Sequence, residues 1–364
     1  MLDLADVAPY LIDKGLISER AVVDGRFRVA DVSRLNRVFH VTSEGDGCFV
    51  LKGAGEAGEA GVAREAAVLE RLCSVHASSE LAFCLPALVA YDSAESVLIL
   101  EATPEARDLR RHHARGRFSC ALAREAGRAL ALLHATPPAA LNGLRNPGDP
   151  TSWMRVHEPD LEAIHAMSPA AVDLIRVIQG LDGLCTALDE LVSSCRVGPV
   201  THGDIRWDNL VAARGRDPTR WTRLHLIDWE LCGAGDPAVD IGAFFGEYLR
   251  AWLQSIPIAD PRDPGRLLAH ARLPLRRMRP ALRAFWGAYT QHSSGPATES
   301  SRTLLRAVRF AALRLLTAAL EEAETLDELR ARVLYLVPLS RNILRRPDEA
   351  SAYLLGLDAA WARA

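Results

Sequence analysis

The spacing of apolar residues alternates between helical and strand-like patterns over the first hundred positions. Residues 3–15 place apolar side chains three or four positions apart and predict a short amphipathic helix. Two β-rich runs, 37–41 and 48–52, lie on either side of a Gly/Asp turn, which is typical of a hairpin. Residues 61–72 have the period of a helix, and 88–100 contains two more strand-like runs. This segment predicts a small β-rich lobe holding one helix.

Helical composition dominates after Glu101. Residues 106–134 predict a long helix that ends at a Pro-Pro pair, because proline cannot continue a helix. Residues 160–195 predict two or three helices, and 200–230 returns to short strands and loops. Helices dominate again from Pro237 onward. The order of elements predicts an α+β fold, with a small β-rich N-terminal lobe and a larger helical C-terminal lobe that carries a β-insert.

Length, composition and charge limit the class of protein. We assign residues 1–102 to the N-terminal lobe and 103–364 to the C-terminal lobe. The net charge of −3 argues against nucleic acid as a partner. The seven cysteines form no Cys-x-x-Cys pair, which favours buried thiols in a reducing cytosol. Acidic residues near the start and the lack of ~18 successive apolar residues predict a cytoplasmic protein with no membrane partner.

Three oxygen-bearing side chains lie in two short segments of the β-insert. Asp204 and Asn209 belong to Thr-His-Gly-Asp-Ile-Arg-Trp-Asp-Asn, and Asp228 belongs to Leu-Ile-Asp-Trp-Glu. A phosphoryl transferase needs one carboxylate to orient a hydroxyl nucleophile, and an amide oxygen plus a second carboxylate to hold Mg²⁺ at the nucleotide phosphates. Such hard oxygen donors are those that Mg²⁺ prefers. The set therefore indicates phosphoryl transfer.

The same two segments resemble a known family. The His-x-Asp-x-x-x-x-Asn pattern resembles the catalytic loop of the kinase superfamily. Its His-Gly-Asp form, followed by Ile-Asp-Trp-Glu, is similar to the aminoglycoside phosphotransferase and choline kinase branch. The resemblance extends over residues 33–245 and implies a two-lobed protein-kinase-like fold that uses ATP and Mg²⁺. It implies that Asp204 is the catalytic carboxylate and that Asn209 and Asp228 are the metal ligands.

A lysine and a glutamate complete the resemblance in the N-terminal lobe. Lys52 ends the apolar run Cys-Phe-Val-Leu and matches the family's lysine that holds the α- and β-phosphates. That lysine requires a carboxylate from the following helix. Glu65 fits the family pattern better than Glu59 or Glu70. We therefore expect Lys52 and Glu65 to form an ion pair at the nucleotide.

The phosphate-covering loop departs from the family pattern. Many relatives have glycines there, whereas this chain has no glycine between Arg26 and Gly45. Ser33, Arg34 and Asn36 could replace the backbone contacts with side-chain contacts to phosphate. The alternative is a plain strand–turn–strand connection without phosphate contacts.

Other positions receive roles from the resemblance or from their place in the loop. Glu101 and Ala102 would form the hinge, where backbone N–H and C=O groups could bind the adenine edge. Asp240 resembles the position that braces the catalytic loop from a helix start, and we expect His202 to brace the same loop. Arg206 could contact phosphate or substrate, or form a salt bridge within the loop.

The acceptor is the least determined part of the prediction, because this fold acts on many alcohols. Helical blocks 150–195 and 246–364 would supply its contacts. The second block is rich in arginines, which suits an anionic or peptide acceptor better than a polycationic one. These arginines are Arg262, Arg266, Arg272, Arg276, Arg277 and Arg279.

We therefore predict an ATP- and Mg²⁺-dependent kinase that phosphorylates a hydroxyl group of a small molecule or natural product. One alternative is a kinase that phosphorylates Ser or Thr of a biosynthetic precursor peptide, for elimination by a partner lyase. Another is a pseudokinase that binds nucleotide as a scaffold. The absent glycines motivate the pseudokinase, and the complete set of Asp204, Asn209 and Asp228 argues against it.

Overall fold

A computed structural model describes most of the chain. The described residues are 2–33, 36–54, 59–144, 151–215, 217, 219–257, 271–294 and 296–358. Arg34, Arg262 and Arg266, which entered the predictions above, lie outside them. In the portion described, each helix is too short or too polar to cross a bilayer.

Five short strands lie in the described part of the first 101 residues, and short strands recur after residue 200. The strands are β1 (Phe27–Asp31), β2 (Arg37–Ser43), β3 (Gly47–Gly53), β4 (Leu88–Asp92), β5 (Val97–Glu101), β6 (Arg107–Asp108), β7 (Val200–Thr201), β8 (Leu210–Arg214), β9 (Trp221–Leu226) and β10 (Gly233–Ala234).

Helices fill most of the remaining described chain. They are α1 (Val7–Asp13), α2 (Glu19–Val23), α3 (Glu59–Val75), α4 (Leu109–His113), α5 (Cys120–His134), α6 (Leu161–Ala166), α7 (Pro169–Gly180), α8 (Leu184–Ser193), α9 (Pro237–Gln254), α10 (Leu275–His292), α11 (Ala297–Ala323), α12 (Ala331–Leu334), α13 (Leu336–Arg345) and α14 (Pro347–Ala350).

Residue contacts divide the chain into two compact units. The first unit comprises Met1–Asp108, Ala139–Arg145 and Asn209–Cys232. The second unit comprises Leu109–Pro138, Asn146–Asp208 and Gly233–Ala364. The division of the sequence into lobes 1–102 and 103–364 stays a prediction. The strands β8 and β9 group with the first unit, although they lie far along the chain.

An antiparallel sheet in the order β1-β2-β3-β5-β4 forms the centre of the first unit. Strand β2 alternates buried and exposed side chains, as the sequence period of two predicts, whereas the inner strand β5 is buried over Val97–Leu100. Phe39 and Val41 of β2 pack with Leu51 of β3 and with Leu11 of α1 in a buried cluster. The predicted hairpin of β2 and β3 is present as an antiparallel pair, and a Gly/Asp turn joins its strands.

A smaller antiparallel sheet in the order β6-β8-β9 also belongs to the first unit. Leu210 at the start of β8 faces Leu226 at the end of β9. The next residue pair outward is joined as well, because the Ile227 N–H donates to the Asn209 carbonyl over 3.0 Å. The sheet therefore places Asn209 and the segment after β9 side by side, at the same end of strands β8 and β9.

Close helix packing at glycines characterises the second unit. A Cβ added at Gly242 of α9 would lie 2.5 Å from the Cβ of Phe310 and 2.6 Å from the carbonyl oxygen of Ala307 on α11. A Cβ at Gly246, one turn later, would lie 2.8 Å from the Cβ of Arg314. The sequence thus permits α9 and α11 to approach more closely than alanines would allow.

The structure corrects one predicted element and adds others. The single helix predicted over 106–134 is two helices, α4 and α5. The chain between them reverses through Gly116, whose φ of +68° favours glycine. Strand β1 and helix α2 were not predicted, because both are short and carry weak periodicity. The three helices between residues 160 and 195 match the prediction.

Candidate active site

One lysine and two carboxylates form an ion-pair network in the first unit. The Nζ atom of Lys52 on β3 lies 2.8 Å from both carboxylate oxygens of Glu65 on α3. It also lies 2.9 Å from Oδ1 of Asp228, in the segment that follows β9. Burial works against the charge on Lys52, but the charges of Glu65 and Asp228 raise its pKa above the ordinary value. The lysine is therefore held as a cation between two carboxylates.

Helical periodicity explains why Glu65 is the partner of Lys52. Its side chain lies on the buried face of α3, together with Val62, Val68 and Leu69. Glu59 and Glu70, the alternatives considered in the sequence, are exposed. Glu65 also accepts a hydrogen bond from the Trp229 N–H over 3.3 Å, which ties the helix to the segment that carries Asp228.

Asp228 has an unusual backbone for its residue type. Its φ is +71°, in the left-handed region that non-glycine residues rarely adopt and that aspartate tolerates better than most. The neighbouring Trp229 is fully buried, and its indole N–H donates to the Leu226 carbonyl over 2.9 Å. This anchoring turns the chain sharply after β9, so that the Asp228 side chain remains about one third exposed.

Asn209 provides the second oxygen donor of the first unit. It ends a 3₁₀ turn that begins at Trp207, and its side chain is mostly buried. The hydrogen bond between Ile227 and Asn209 keeps it beside the residue that precedes Asp228. An amide oxygen and a carboxylate at neighbouring strand ends form a donor set that fits Mg²⁺.

The loop before β2 is held by its own side chains. The Ser33 hydroxyl accepts a hydrogen bond from the Val38 N–H over 3.0 Å, and the Ser33 N–H donates to Asp31 over 2.9 Å. The Asn36 side chain donates a hydrogen bond to the Glu230 carboxylate. These contacts hold Ser33 and Asn36 in place. Contact of Ser33 or Asn36 with phosphate stays a prediction.

Glu230 connects this loop with the first turn of α3. Its carboxylate lies next to Gly61, and Arg64 of the same helix donates to the backbone carbonyls of Glu230 and Cys232. Burial raises the pKa of Glu230, and the charges of Asp228 and Glu65 raise it further. The sequence analysis gave Glu230 no role, although an acid two positions after Asp228 was a visible signal.

The predicted hinge lies at the end of β5, an inner strand of the large sheet. The Glu101 N–H donates to the Ala87 carbonyl over 2.9 Å, and the Ala102 N–H donates to the Cys48 carbonyl over 2.8 Å. Both N–H groups are thus used within the first unit, and binding of adenine at Glu101 and Ala102 stays a prediction.

The segment that carries Asp204 lies in the second unit and is braced by Asp240. The N–H groups of His202 and Gly203 donate to the two oxygens of Asp240, over 2.7 Å and 3.0 Å. Gly203 has a φ of +84°, a conformation that suits glycine. The Asp204 N–H donates to Nδ1 of His202 over 3.3 Å. His202 and Asp240 therefore brace the loop, as predicted.

A second set of contacts fixes Asp240 itself. Nε2 of His134 on α5 lies 3.0 Å from its Oδ2, and Nδ1 of the same ring lies 3.1 Å from the Tyr289 hydroxyl. Complete burial works against the charge on Asp240, but hydrogen bonds and charge from His134 and His202 lower its pKa. The N-cap of α9 is Asp236, whose carboxylate accepts from the Ala238 N–H. Asp240 lies one turn inside the helix.

The last residues of the loop are held by arginine and by aromatic packing. Arg110 contacts both oxygens of Asp208, over 2.6 Å and 2.8 Å. The Trp207 ring packs edge-on against His113, at 4.8 Å between centroids, and against Tyr248, at 5.0 Å. These contacts fix the loop immediately before Asn209.

Arginine and glutamate side chains from α9 and α11 continue the network. Arg206 lies 3.3 Å from Glu321 of α11, so its salt bridge joins the loop to that helix and is not formed within the loop. Arg314 contacts both Glu321 and Glu247. Sequence analysis missed Arg314, whose signal is an arginine on the otherwise apolar face of a long helix.

Solved structures and a family model identify the fold. A choline kinase from Cryptosporidium parvum Iowa II matches at 13% identity, with 98% of this chain and 99% of that chain covered and a TM-score of 0.51. A choline kinase from Streptococcus pneumoniae matches at 14% identity, with 92% and 99% covered and a TM-score of 0.48. A macrolide 2′-phosphotransferase from Brachybacterium faecium matches at 18% identity, with 93% and 98% covered and a TM-score of 0.48. Together with the family model, the first match confirms the two-lobed α+β kinase-like fold.

The family assignment rests on the chain's own sequence. Residues 27–285 match the model of the phosphotransferase enzyme family. This protein belongs to that family, which confirms the resemblance to the aminoglycoside phosphotransferase and choline kinase branch. It is therefore a phosphotransferase, and ATP-dependent transfer to an alcohol group is the activity that membership implies. No curated protein matches the chain.

Proposed function

We propose that this protein transfers the γ-phosphate of ATP to a hydroxyl group of a small molecule in a Mg²⁺-dependent reaction. The observation that carries the proposal is the Lys52, Glu65 and Asp228 ion pair, with all three contacts at 2.8–2.9 Å. A phosphate-binding lysine must be charged and held in one place. Glu65 provides both conditions, because it is buried and fixed by the helix on which it lies.

Each residue receives one role in the reaction. Lys52 would bind the α- and β-phosphate oxygens, and Asn209 with Asp228 would hold Mg²⁺. The bound ion would neutralise charge on the phosphates of the nucleotide. Asp204 would accept the hydrogen bond of the acceptor hydroxyl and aim its oxygen at the γ-phosphorus.

The transfer is direct. The acceptor oxygen forms the new bond to the γ-phosphorus while the bond to the bridging oxygen breaks and ADP leaves. The acceptor proton passes to Asp204. In a loose transition state little proton transfer precedes bond breaking, so an aspartate of ordinary basicity is sufficient. Asp240 contributes by holding the backbone on which Asp204 is mounted.

We also propose that the enzyme works in the cytoplasm. None of the seven cysteines, all of which lie among the described residues, forms a disulfide, and Cys84 and Cys232 are buried. Cysteines kept as thiols suit a reducing compartment.

Nucleotide binding and chemistry can be tested separately. The melting temperature would be measured with and without Mg²⁺-ATP for the wild type, Asp228→Ala and Asp204→Asn. Ligand at 100 times its dissociation constant stabilises by about 2.7 kcal/mol, which is a shift of a few degrees at this size. We expect the shift in the wild type and in Asp204→Asn, and its loss in Asp228→Ala.

The second measurement is ADP release with a panel of alcohols. Asp204→Asn should lower the turnover by roughly 10²- to 10⁴-fold. A shift without turnover on any alcohol or hydroxyl peptide would favour a nucleotide-binding scaffold. A shift that Asp228→Ala keeps in full would contradict the proposed metal site.

A further inference from the structure

The carboxylates that contact the catalytic loop all have partners in the second unit. Asp240 accepts two backbone N–H groups of the loop and contacts His134. Asp208 is held by Arg110 through two hydrogen bonds. A cationic acceptor would require a carboxylate without such a partner beside Asp204, and neither of these acids provides one.

The carboxylate of Glu247 on α9 also has partners within the second unit. Its Oε1 accepts a hydrogen bond from Arg314 Nη2 over 3.0 Å and lies 3.5 Å from Arg250 Nη1. Its Oε2 accepts the Trp207 N–H over 3.4 Å and lies 3.9 Å from Arg110. Its side chain is almost completely buried, so an acceptor cannot reach it without displacing these groups.

Glu321 on α11 is shared by two arginines. Its Oε1 lies 2.9 Å from Arg314 Nη1, and its Oε2 lies 3.3 Å from Arg206 Nη2. Burial works against its ionisation, but the charges of Arg314, Arg206 and Arg250 lower its pKa. The carboxylate therefore stays ionised, and the neighbouring arginines balance its charge.

Positive charge exceeds negative charge in this network. Four arginines face three carboxylates, namely Arg110, Arg206, Arg250 and Arg314 against Asp208, Glu247 and Glu321. The surplus lies close to Asp204, whose charge acts on Arg314. Asp204 balances this one positive charge, so the network has no negative charge left over to attract a cationic acceptor.

We propose that the acceptor is an alcohol that also carries an anionic oxygen group, either carboxylate or phosphate, and that Arg206 is the residue that binds this group. The inference rests on the proposed function and specifies its substrate class. Arg206 stands two residues after Asp204 in the same loop, and its side chain is 28% exposed, against 10% for Arg314. Its guanidinium can leave Glu321 or share it, because the pair is solvent-accessible.

The chemistry of arginine favours this assignment. A guanidinium presents parallel N–H donors that match the two oxygens of a carboxylate or phosphate. Buried Arg314 and Glu247 are sufficient to join α9 to α11, so Arg206 is not needed for that purpose. A structural salt bridge on a catalytic loop would serve as well with a lysine, which offers one point charge.

The test uses four alcohols of similar size: glycerate, glycerol 3-phosphate, glycerol and choline. Each is titrated into the whole protein with saturating Mg²⁺-ADP, at constant ionic strength, while the melting temperature is recorded. We expect glycerate or glycerol 3-phosphate to stabilise more than glycerol or choline. Arg206→Gln should weaken that binding by roughly 10- to 100-fold, the range for hydrogen bonds to charged groups.

Two further variants give opposite expectations. Glu321→Gln removes the competing carboxylate and should tighten anion binding, whereas a site for cations would lose affinity. Arg302→Gln removes an exposed arginine of α11 and should change nothing. The proposal is overturned if choline stabilises most, if Arg206→Gln binds the anions like the wild type, or if neither anion acts at about 10 mM, well above ordinary KM values.

The measurement with Mg²⁺-ADP alone distinguishes a failure of the acceptor class from a failure of the proposed function. A melting-temperature shift with Mg²⁺-ADP and no anion response would leave the proposed function standing and refute the acceptor class. The absence of any shift with Mg²⁺-ADP would instead contradict the proposed function itself.

Discussion

The carboxylate of Glu230 occupies the space that a side chain at Gly61 would need. A Cβ built at Gly61 would lie 2.7 Å from Glu230 Oε2. Glu230 in turn accepts the hydrogen bond of Asn36, which belongs to the loop that lacks glycine. The one glycine in the described part of helix α3 therefore makes room for the acid that binds Asn36, in the loop proposed to cover the nucleotide.

Substitution of Gly61 by alanine should weaken ATP binding without loss of stability. The Glu230 oxygen is the end of a flexible side chain and can move away, and alanine favours the helix by up to about 1 kcal/mol. Displacement of Glu230 would break its hydrogen bond with Asn36, which corresponds to roughly a tenfold weaker affinity. The measurement is the ATP dissociation constant beside the melting temperature.

The double variant Gly61→Ala/Glu230→Ala is the control for this effect. If alanine at position 61 acts through Glu230, the second substitution should add little to the first. Fully additive losses would mean that Gly61 and Glu230 act separately, and would contradict the role given to Glu230.

Removal of Lys52 should destabilise the fold as well as the activity. Lys52→Met leaves the buried carboxylate of Glu65 without its cation, a change that costs about 3–5 kcal/mol. Lys52→Met/Glu65→Gln removes both charges and should recover much of that loss, while activity stays absent. The double-mutant cycle is measured by urea unfolding of the wild type, Lys52→Met, Glu65→Gln and the double variant. A double variant as unstable as Lys52→Met alone would show that the pair does not couple.

Close approach of α9 and α11 should make Gly242 intolerant of a side chain. An added methyl would meet the Ala307 carbonyl oxygen and the Ala311 nitrogen, at 2.6 Å and 2.9 Å, and backbone cannot rotate away. Gly242→Ala should therefore lower the free energy of unfolding by about 1–3 kcal/mol. Gly287→Ala on α10 is the matched control, since no atom lies within 4 Å of its added Cβ, and it should stabilise slightly. Equal effects of the two substitutions would refute the close approach.

His113 should make stability depend on pH. Burial, aided by the charge of His112, lowers its pKa to about 3, against about 6.5 in an unfolded chain. Below about pH 6.5 the unfolded state thus binds a proton that the folded state does not bind. The free energy of unfolding therefore falls as the pH falls. One such group contributes a loss of about 2 kcal/mol between pH 7 and pH 5.

The matched comparison for His113 replaces each of two histidines by phenylalanine. His113→Phe keeps an aromatic ring against Phe118, Trp207 and Tyr248 and should reduce the loss between pH 7 and pH 5. His165→Phe changes an exposed histidine of α6 and should leave the pH dependence as in the wild type. An unchanged slope in His113→Phe would show that the ring takes up its proton in the folded state.

The sequence predicted elements whose pattern is local. The hairpin of β2 and β3 and the face of α3 that carries Glu65 follow from periods of two and of 3.6 residues. It did not predict the break between α4 and α5. That break depends on the left-handed turn at Gly116, whose added Cβ would also meet Leu273, a residue far away in the chain.

The site could be predicted only where its residues belong to a motif. Lys52, Asp204, Asn209 and Asp228 were proposed as site residues because short patterns surround them, and their roles stay predictions. Arg314 and Glu247 gain their meaning from the packing of α9 on α11, which no local pattern encodes. The use of the Ala102 N–H within the sheet likewise depends on its pairing with Cys48, more than fifty residues earlier.

The bracing of the catalytic loop by Asp240 has a consequence for motion. Loops usually open locally and exchange their amide hydrogens long before a protein unfolds. Here the amides of His202 and Gly203 are tied to a carboxylate inside helix α9. Their hydrogens should exchange with deuterium as slowly as those of the helix itself. Heat should therefore inactivate the enzyme at the temperature at which this helix melts, with no earlier loss of activity from a loosened loop.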